Sequence, residues 1–412
     1  MRARIQRWVA AVAAVAGCGV AAVWSVRAGW ADYWGRQETI AATQRAIALT
    51  PGQSLYRYRL AVLVADQDPR GSNAALERAL ALNPADADSW IELGLRSEAA
   101  GDYATAERSL ERAAKESNLY LPRWTLANYY YRRNDTVRFW LWANRAAEMI
   151  YGDPAPLFEL CERVAEGSDL AERLDLRSPD LRASYLSYSM SRRETKWIAA
   201  NAEALVEADR PSDTPLLVAS CDALLEGKQV DAALRIWNRL AAAHRIPFAA
   251  LEPKSGPYLT NGTFATSPTS GGFDWRLASL EGVTAAREED RAGLRLTFTG
   301  NQPEHCEPLT QFVPVEENEA YELRFAYRTS GISPGAGPRW QVVDALGSGA
   351  IAESEPLSSP ETAEGQVSFE TPAGCRLLRL ALVYQRVPGT TRIDGFVVLR
   401  EVRLDPRPRQ GK

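Results

Sequence analysis

The residues able to carry acid–base chemistry are few and poorly grouped. The chain of 412 residues has two histidines, His244 and His305, and they are far apart in sequence. Glu304 and Glu307 flank His305, and a carboxylate beside a histidine is a pairing that enzymes use for proton transfer. Neither a His-Glu-x-x-His run nor a Gly-rich phosphate loop accompanies them. We therefore predict a non-catalytic protein, and an enzyme subunit with chemistry near His244 and His305 remains the alternative.

Composition limits the other functions. A chain of 412 residues exceeds one hydrophobic core and predicts two or three folded units. The apolar share of 46% and the charged share of 24% are typical of globular proteins. A formal net charge of −4 gives no basic surface for nucleic acid, so we expect no nucleic-acid partner.

The N-terminus carries a membrane signal. Arg2, Arg4 and Arg7 precede an uncharged run over residues 8–26, which Arg27 closes. Such a run is just long enough to cross a hydrocarbon core of about 30 Å. Basic residues in front of a span favour a cytoplasmic N-terminus. We predict that residues 1–27 form a single span in a bacterial inner membrane, with the bulk of the chain in the periplasm.

Other interpretations of this segment stay open. Residues 15–18 resemble a bacterial lipobox, in which Cys18 would be lipidated after cleavage. The apolar residues that follow Cys18 disfavour this lipoprotein alternative, because mature lipoproteins usually turn polar there. A cleaved signal peptide and a buried helix are the remaining options. The leading alternatives export the chain, to the periplasm or the cell surface.

A helical repeat dominates the first half. Residues 87–120 predict a helix, a turn at Gly101-Asp102 and a second helix, and Tyr56 and Trp124 lie 34 residues on either side of Trp90. The residues that fit the pattern are Trp90, Leu93, Gly94, Gly101, Tyr103, Ala106, Leu110 and Ala113. This pattern resembles the tetratricopeptide repeat, in which stacked helical hairpins share one core. We predict a repeat domain over residues 28–250, with Trp90 and Trp124 in its core and a protein partner on its concave face.

The pattern of residue types changes near residue 250. Residues 251–257 predict a linker, and short runs of alternating polarity follow, as in residues 320–329. About eight such runs favour a jelly roll, two antiparallel sheets around one core, over residues 258–405. Residues 406–412 predict a disordered tail. The fold class is therefore multidomain α then β: a tetratricopeptide-like α-solenoid followed by an antiparallel β-sandwich.

The second half resembles the jelly rolls of carbohydrate-binding modules, of the galactose-binding type. The matching segments are residues 259–264, 271–277, 293–300, 311–328 and 395–404. In such domains the first and last strands lie together. The resemblance implies a sandwich fold, and it leaves open whether this one binds a glycan, because the fold serves many ligands.

Aromatic residues in this half are the candidate glycan site. Trp275, Trp340 and Tyr384 would stack on the apolar face of a sugar ring, while polar neighbours bond its hydroxyls. Those neighbours would be Asp274, Arg276, Arg339, Arg386 and Asp394. The competing interpretation is structural: Trp275 would plug one end of the sandwich, and Trp340, which alternates with Val342, would be a core residue.

Cysteine usage suggests no metal. The chain has no Cys-x-x-Cys pair and no metal-ligand spacing, so we expect neither a metal nor a cofactor. Cys161 and Cys221 read as small core residues of the helices. Cys306 and Cys375 lie in the predicted sandwich, and an oxidising compartment would allow a disulfide between them.

The predicted function follows from these parts. We expect a membrane-anchored scaffold or adaptor of the bacterial cell envelope that binds protein through its repeats, with glycan binding by the sandwich left open. Proteins with such a span, such repeats and such a sandwich resemble accessory components of exopolysaccharide production or export. A protein whose main role is glycan capture, or a subunit of an envelope enzyme complex, would fit the same parts.

Overall fold

A computed structural model describes residues 2–165, 170–288, 292–347 and 349–407. The chain divides into two compact units, Met1–Leu176 and Arg177–Lys412. Residues 408–412, most of the predicted disordered tail, lie outside the described residues. The fold class predicted from the sequence, helical repeats followed by a two-sheet sandwich, is confirmed.

All the regular secondary structure in the described part of the first unit is α-helix. The helices are α1 Arg2–Gly35, α2 Ile40–Leu49, α3 Ser54–Val64, α4 Pro69–Leu82, α5 Ala87–Ala99, α6 Tyr103–Glu116, α7 Tyr120–Arg132, α8 Thr136–Ala147, α9 Ala155–Ala165 and α10 Leu170–Arg173. Consecutive helices pack against each other through short turns, so neighbours run antiparallel. The side chains of Asp68, Asp102 and Asp135 cap the first turns of α4, α6 and α8, which fixes where the second helix of each hairpin begins.

The first helix has two parts. Its segment Ala11–Gly35 is long and apolar enough to cross a membrane, and the same property is found in signal sequences. The last turns of α1 also act as the first helix of a hairpin. Ala31 is fully buried beside Ala46 and Tyr56, and a Cβ at Gly35 would meet the Tyr56 ring. The helix that leaves the repeats is therefore continuous with them.

Close helix crossings explain the small residues of the repeat. A Cβ at Gly94 on α5 would meet the side chain of Leu110 and lie 3.3 Å from the carbonyl oxygen of Ala106, both on α6. Ala61 is fully buried at the corresponding crossing of α3 with α4, where Ser72 donates a hydrogen bond to its carbonyl, 2.6 Å. Only a very small side chain lets the two backbones approach this closely.

The structural period differs from the aromatic spacing. Helices α3, α5 and α7 begin at Ser54, Ala87 and Tyr120, which are 33 residues apart. An aromatic residue repeated every 34 residues therefore moves one position along each successive helix, a rotation of about 100°. Tyr56 is buried, whereas Trp90 and Trp124 are only partly buried. The prediction that both tryptophans lie inside the core is therefore wrong, because each is only half-buried.

The second unit combines four further α-helices and a short 3-10 helix, Pro211–Asp213, with the sandwich. The α-helices are α11 Pro179–Arg192, α12 Thr195–Glu207, α13 Thr214–Glu226 and α14 Val230–Ala242. The strands are β1 Arg276–Leu277, β2 Val283–Arg287, β3 Leu294–Thr299, β4 His305–Pro314, β5 Ala320–Ser330, β6 Arg339–Asp344, β7 Ala350–Glu353, β8 Ala363–Glu370, β9 Leu377–Gln385 and β10 Asp394–Pro406.

Two antiparallel five-stranded sheets face each other. Sheet A has the order β1-β4-β9-β6-β7, and sheet B has the order β2-β3-β10-β5-β8. Alternating residues of both sheets fill one core, as along β3, where Leu294, Leu296 and Phe298 are buried. The last strand, β10, pairs with β3 and β5 at the centre of sheet B.

The helices of this unit share a core with the sandwich. Trp237 of α14 is fully buried against Phe273, which precedes β1, and Leu377 of β9 belongs to the same cluster. Gly272 has a left-handed backbone (φ +57°), and a Cβ there would meet the Trp237 ring. Asn238 and Leu251 exchange two hydrogen bonds, of 2.9 and 2.8 Å. The segment after α14 is thus packed in place.

Candidate functional site

The predicted sugar-stacking residues are internal. Trp275 and Trp340 are fully buried in the sandwich core, with ring centroids 5.7 Å apart. The indole nitrogen of Trp275 donates a hydrogen bond to the carbonyl of Asn261, 3.1 Å. Neither ring offers a face to solvent, so neither can stack on a sugar in this structure. The structural interpretation of both tryptophans is the one that the fold supports.

Tyr384 and Arg386 are also engaged within the chain. The Tyr384 ring is buried beside Phe298, and its hydroxyl accepts a hydrogen bond from the Ile393 amide, 3.2 Å. Arg386 pairs with Glu304, 3.0 Å, and donates to the carbonyl of Thr390, 2.9 Å. The glycan role predicted for these two residues is therefore not supported. The Tyr384 ring is inaccessible, and the Arg386 guanidinium is bound to Glu304 and to the backbone of the following loop.

Asp274 is a buried carboxyl of a turn. One oxygen accepts hydrogen bonds from the amide and hydroxyl of Thr269, 2.7 and 2.9 Å. Burial raises the pKa of Asp274 above its ordinary value, and the bonds from Thr269 partly offset this. This carboxyl is out of reach of a ligand, which corrects its predicted role.

Arg276 joins the sandwich to the helices. Its guanidinium pairs with Asp222 of α13, donates to the carbonyl of Gly272, 2.6 Å, and lies 4.6 Å from the Phe312 ring centroid. Burial raises the pKa of Asp222, while Arg276 lowers it. The arginine predicted to bond a sugar is instead committed to this internal contact.

The remaining predicted sugar partners are peripheral. Arg339 lies 3.5 Å from Glu353 on the neighbouring strand, and Asp394 is the exposed first residue of β10. No aromatic ring of the predicted site is exposed beside either residue. The sequence-predicted residues therefore do not come together as one glycan site.

The histidines stand apart from any catalytic grouping that the structure describes. His305 is exposed, with its Nδ1 2.9 Å from the amide oxygen of Gln385, and His244 lies in the exposed turn after α14. Glu304 pairs with Arg386, and Glu307 pairs with Arg379. Among the described residues no group of three or more His, Cys, Asp or Glu side chains could hold a metal ion.

One further serine motif has the wrong context. Residues 331–335, Gly-Ile-Ser-Pro-Gly, match the spacing of a nucleophile elbow, which requires a strand-to-helix turn. Here the segment connects two strands, β5 and β6, and Ser333 is exposed. The segment is a loop between strands.

The cysteines remain free thiols. Cys306 on β4 pairs with Tyr384 near the end of β9, whereas Cys375 lies just before the first residue of β9. A strand rises about 3.3 Å per residue, so the length of β9 places the two cysteines more than about 20 Å apart. The Cα atoms of a disulfide lie within about 7 Å of each other. The predicted disulfide is therefore absent, and both thiols are buried.

The described surface of the sandwich includes two openings. The larger, of about 620 Å³, lies between residues 255–266 and the end of β10, and the smaller, of about 200 Å³, lies on sheet B. In the smaller one Glu364 and Glu401 sit on the strands flanking Ala326. Arg324 and Arg403 complete this charged floor. Sequence reasoning missed both openings, because they depend on which strands become neighbours.

A repeated apolar surface occurs in the first unit. The second and ninth residues of α3, α5 and α7 lie seven positions apart, which places them on one face of each helix. Helix α5 contacts both α3 and α7, so the three faces are adjacent. We call this surface the A-face, and its residues are Leu55, Val62, Asp88, Leu95, Leu121 and Asn128.

Exposure makes the A-face distinctive. Leu55, Val62, Leu95 and Leu121 are all exposed, although each lies on a helix whose other face is packed. Asp88 makes no ion pair among the described residues, and it lies near Tyr58. Burial raises the pKa of the Tyr58 phenol, and the negative charges of Asp88 and Glu92 raise it further. The A-face therefore combines apolar rows with an unneutralised acidic residue.

No family model matches the chain, and no curated protein does either. Similar solved structures include examples of two kinds. One is the carbohydrate-binding module CBM4, at 11% identity over 36% of this chain and 98% of its own, with a TM-score of 0.27. Another is TmCBM61 in complex with β-1,4-galactotriose, at 16% identity over 37% and 100%, with a TM-score of 0.28.

A similar structure of the second kind is YrrB, a TPR protein with an unusual peptide-binding site. It matches at 13% identity over 49% of this chain and 92% of its own, with a TM-score of 0.25. Structures of both kinds named by the sequence resemblance are thus similar to this chain. At these identities the likeness concerns the fold alone.

Proposed function

We propose that this chain is a non-catalytic, membrane-anchored scaffold of the bacterial cell envelope that docks a protein partner on the A-face of its helical repeats. The observation that carries the proposal is the set of four exposed apolar side chains, Leu55, Val62, Leu95 and Leu121, at the second and ninth positions of three adjacent helices. Contiguous exposed apolar surface of this kind marks interaction sites in monomeric proteins.

The chemistry of the A-face specifies the partner. Two apolar rows, one through Leu55 and Leu121 and one through Val62 and Leu95, suit a segment that presents apolar side chains along its length. Asp88 lies in the first row without an ion pair among the described residues, so the segment should carry Lys or Arg at the facing position. A short basic-and-apolar protein segment is the expected ligand.

The anchor is α1. The apolar residues 11–26 of α1 are exposed and support a membrane span, and the arginines before them favour export of the bulk of the chain. The proposed compartment is the periplasmic side of an inner membrane. Lipidation at Cys18, which is exposed on α1, is the alternative mode of attachment.

A glycan role of the sandwich is the second proposal, with exopolysaccharide production or export as its setting. It is favoured by the charged opening on sheet B, which is lined by Arg324, Arg403, Glu364 and Glu401. A sugar hydroxyl would compete there with the ion pairs that Arg324 makes with Glu322 and that Arg403 makes with Asp405. Because the predicted stacking residues Trp275, Trp340 and Tyr384 are buried, such binding would depend on the charged side chains of this opening. Replacement of these charged side chains by alanine should abolish glycan retention.

Site-specific crosslinking tests the protein-docking role. A photo-reactive amino acid at Leu95 of the full chain, expressed in a bacterial envelope, should crosslink one defined protein. The same group at Val137, an exposed position of α8 outside the A-face, is the matched control. Crosslinks of equal yield from both positions, or none from Leu95, would refute the proposed docking surface.

A further inference from the structure

The turns of the first unit fall into two groups on opposite edges. Because neighbouring helices run antiparallel, the turns after α2, α4, α6 and α8 share one edge, and the turns after α1, α3, α5 and α7 share the other. We call the first group the loop edge; it comprises residues 50–53, 83–86, 117–119 and 148–154.

The loop edge lies at the level where the apolar part of α1 ends. Arg27 closes the uncharged run of residues 8–26, and its guanidinium donates a hydrogen bond to the carbonyl of Leu49, 2.9 Å, at the end of α2. The apolar run of α1 therefore leaves the first unit from this edge. If α1 crosses a bilayer, the turn after α2 stands at the bilayer surface.

Exposed apolar side chains are concentrated on the loop edge. Leu82 ends α4, Leu119 precedes α7, and Met149 and Tyr151 lie between α8 and α9, all exposed. Tyr151 also packs edge-on against Tyr120, with ring centroids 6.1 Å apart. Leucine and tyrosine at loop tips are side chains that partition well into the interfacial layer of a membrane.

The opposite edge has different chemistry. Its turns are residues 36–39, 65–68, 100–102 and 133–135, and each contains at least one charged residue. Within two residues of these turns the exposed large apolar side chains are Tyr103, which Arg133 covers at 3.8 Å from its ring centroid, Tyr131 and Val137. The turns themselves contain no large apolar residue. The apolar tips are thus a property of one edge.

Arginine side chains are also held at the loop edge. Arg57 donates to the carbonyl of Pro51, 3.0 Å, and Arg123 donates to the backbone and side-chain oxygens of Asn118. The edge has three acidic residues, Asp86, Glu148 and Asp153. Asp86 and Asp153 accept local hydrogen bonds, from Ser89 and from the Ala155 amide, and Glu148 is exposed. Arginines beside apolar tips suit a surface of anionic lipid headgroups.

We propose that the loop edge of the first unit lies on the surface of the bilayer that α1 enters, with Leu119 and Tyr151 in its interfacial layer. The inference rests on the membrane anchor of the proposed function and not on the protein-docking role. The proposal also orients the A-face. One end of each of α3, α5 and α7 would lie at the membrane, so a partner bound to these helices would be close to the lipid surface.

Depth-dependent quenching tests this. The full chain is reconstituted in vesicles of phosphatidylethanolamine and phosphatidylglycerol with lipids spin-labelled at shallow or deep positions. An environment-sensitive fluorophore is placed at Leu119→Cys or Tyr151→Cys in a Cys18→Ser background, in which the remaining cysteines are buried. Gln67→Cys and Ala100→Cys, in exposed turns of the opposite edge, are the matched controls.

We expect shallow lipid labels to remove most of the fluorescence at positions 119 and 151, with a blue-shifted emission, and to leave positions 67 and 100 unchanged. A fluorophore on native Cys18 in the unsubstituted chain reports the anchor separately, through quenching by deep labels. Deep quenching at Cys18 together with water-like emission at 119 and 151 would overturn the loop-edge proposal alone. A water-exposed Cys18 would overturn it together with the membrane anchor.

Discussion

Trp237 of α14 packs edge-on against Phe273 of the sandwich, with ring centroids 5.8 Å apart and both side chains fully buried. Around this contact Asp222 accepts a hydrogen bond from the Gly272 amide, 2.8 Å, and pairs with Arg276. The change from helix to strand therefore takes place inside one packed unit, because helix and sandwich residues fill the same core.

Truncation of this contact should loosen helices and strands together. Phe273→Ala removes a fully buried ring and should lower the free energy of unfolding by about 3–5 kcal/mol. Hydrogen exchange should then show faster exchange in α13, α14 and β9. Phe396→Ala, on the outer face of sheet B, is the control and should leave α13 and α14 unchanged. Protected α13 and α14 in Phe273→Ala would contradict the shared core.

The sandwich tryptophans should behave as core residues. Trp340→Ala should lower the free energy of unfolding by about 3–5 kcal/mol, since the ring packs against Trp275 and Phe325. Urea unfolding measures this. Gln341→Ala on the same strand removes a half-buried side chain that bonds Glu353, and it should change stability by less than about 0.5 kcal/mol. A stable Trp340→Ala protein that selectively lost glycan binding would restore the predicted stacking role.

Asp274 predicts a particular dependence of stability on pH. Its folded-state pKa is raised by burial above the ordinary 3.8, so the folded chain holds this proton more tightly than the unfolded chain. The ionised carboxyl therefore costs stability, and the cost grows as pH rises from 3.8 through the raised folded value. Relative to Asp274→Asn, the native chain should be less stable at pH 7 than at pH 3.5, as measured by urea unfolding.

Glu322 provides the control of opposite sign. The hydrogen bond from Arg324 lowers the pKa of Glu322, so its ionised form contributes stability above the ordinary value of 4.5, and this is lost as pH falls. Compared with Glu322→Gln, the native chain should be more stable at pH 7 than at low pH. Parallel slopes for the two carboxyl variants would contradict the environments described for them.

The sandwich cysteines should stay reduced in an oxidising compartment. Chain isolated without reductant and denatured with an alkylating reagent should carry the reagent on both Cys306 and Cys375, because they lie at opposite ends of β9. Mass spectrometry counts the modified thiols. Recovery of a peptide pair joined by a Cys306–Cys375 disulfide would show that the strand register differs from the one described.

The architecture could be predicted from the sequence because it depends on local patterns. Small residues such as Gly94 mark a helix crossing, and the alternation in β5 marks a half-buried strand. The exact repeat period could not be read from aromatic residues: Tyr56, Trp90 and Trp124 keep a spacing of 34, while the helix starts keep 33.

The site residues were harder to predict for a physical reason. Alternation assigns residues to two faces of a strand, but an aromatic residue is equally suited to a core and to an exposed platform. Trp275 and Trp340 fall on the inner faces. The A-face was detectable in principle, since Leu55, Val62, Leu95 and Leu121 occupy equivalent positions once the repeat is aligned on its helix starts.

A charge placed on the A-face tests the central claim most directly. With the photo-reactive group at Leu95 of the membrane-bound full chain, Val62→Glu puts a carboxylate at the equivalent position of the adjacent helix. The yield of the partner crosslink should fall about tenfold, the effect expected for losing one well-packed apolar contact of roughly 1.4 kcal/mol. Val137→Glu should leave that yield unchanged. Equal yields in both variants would show that the partner does not bind the A-face.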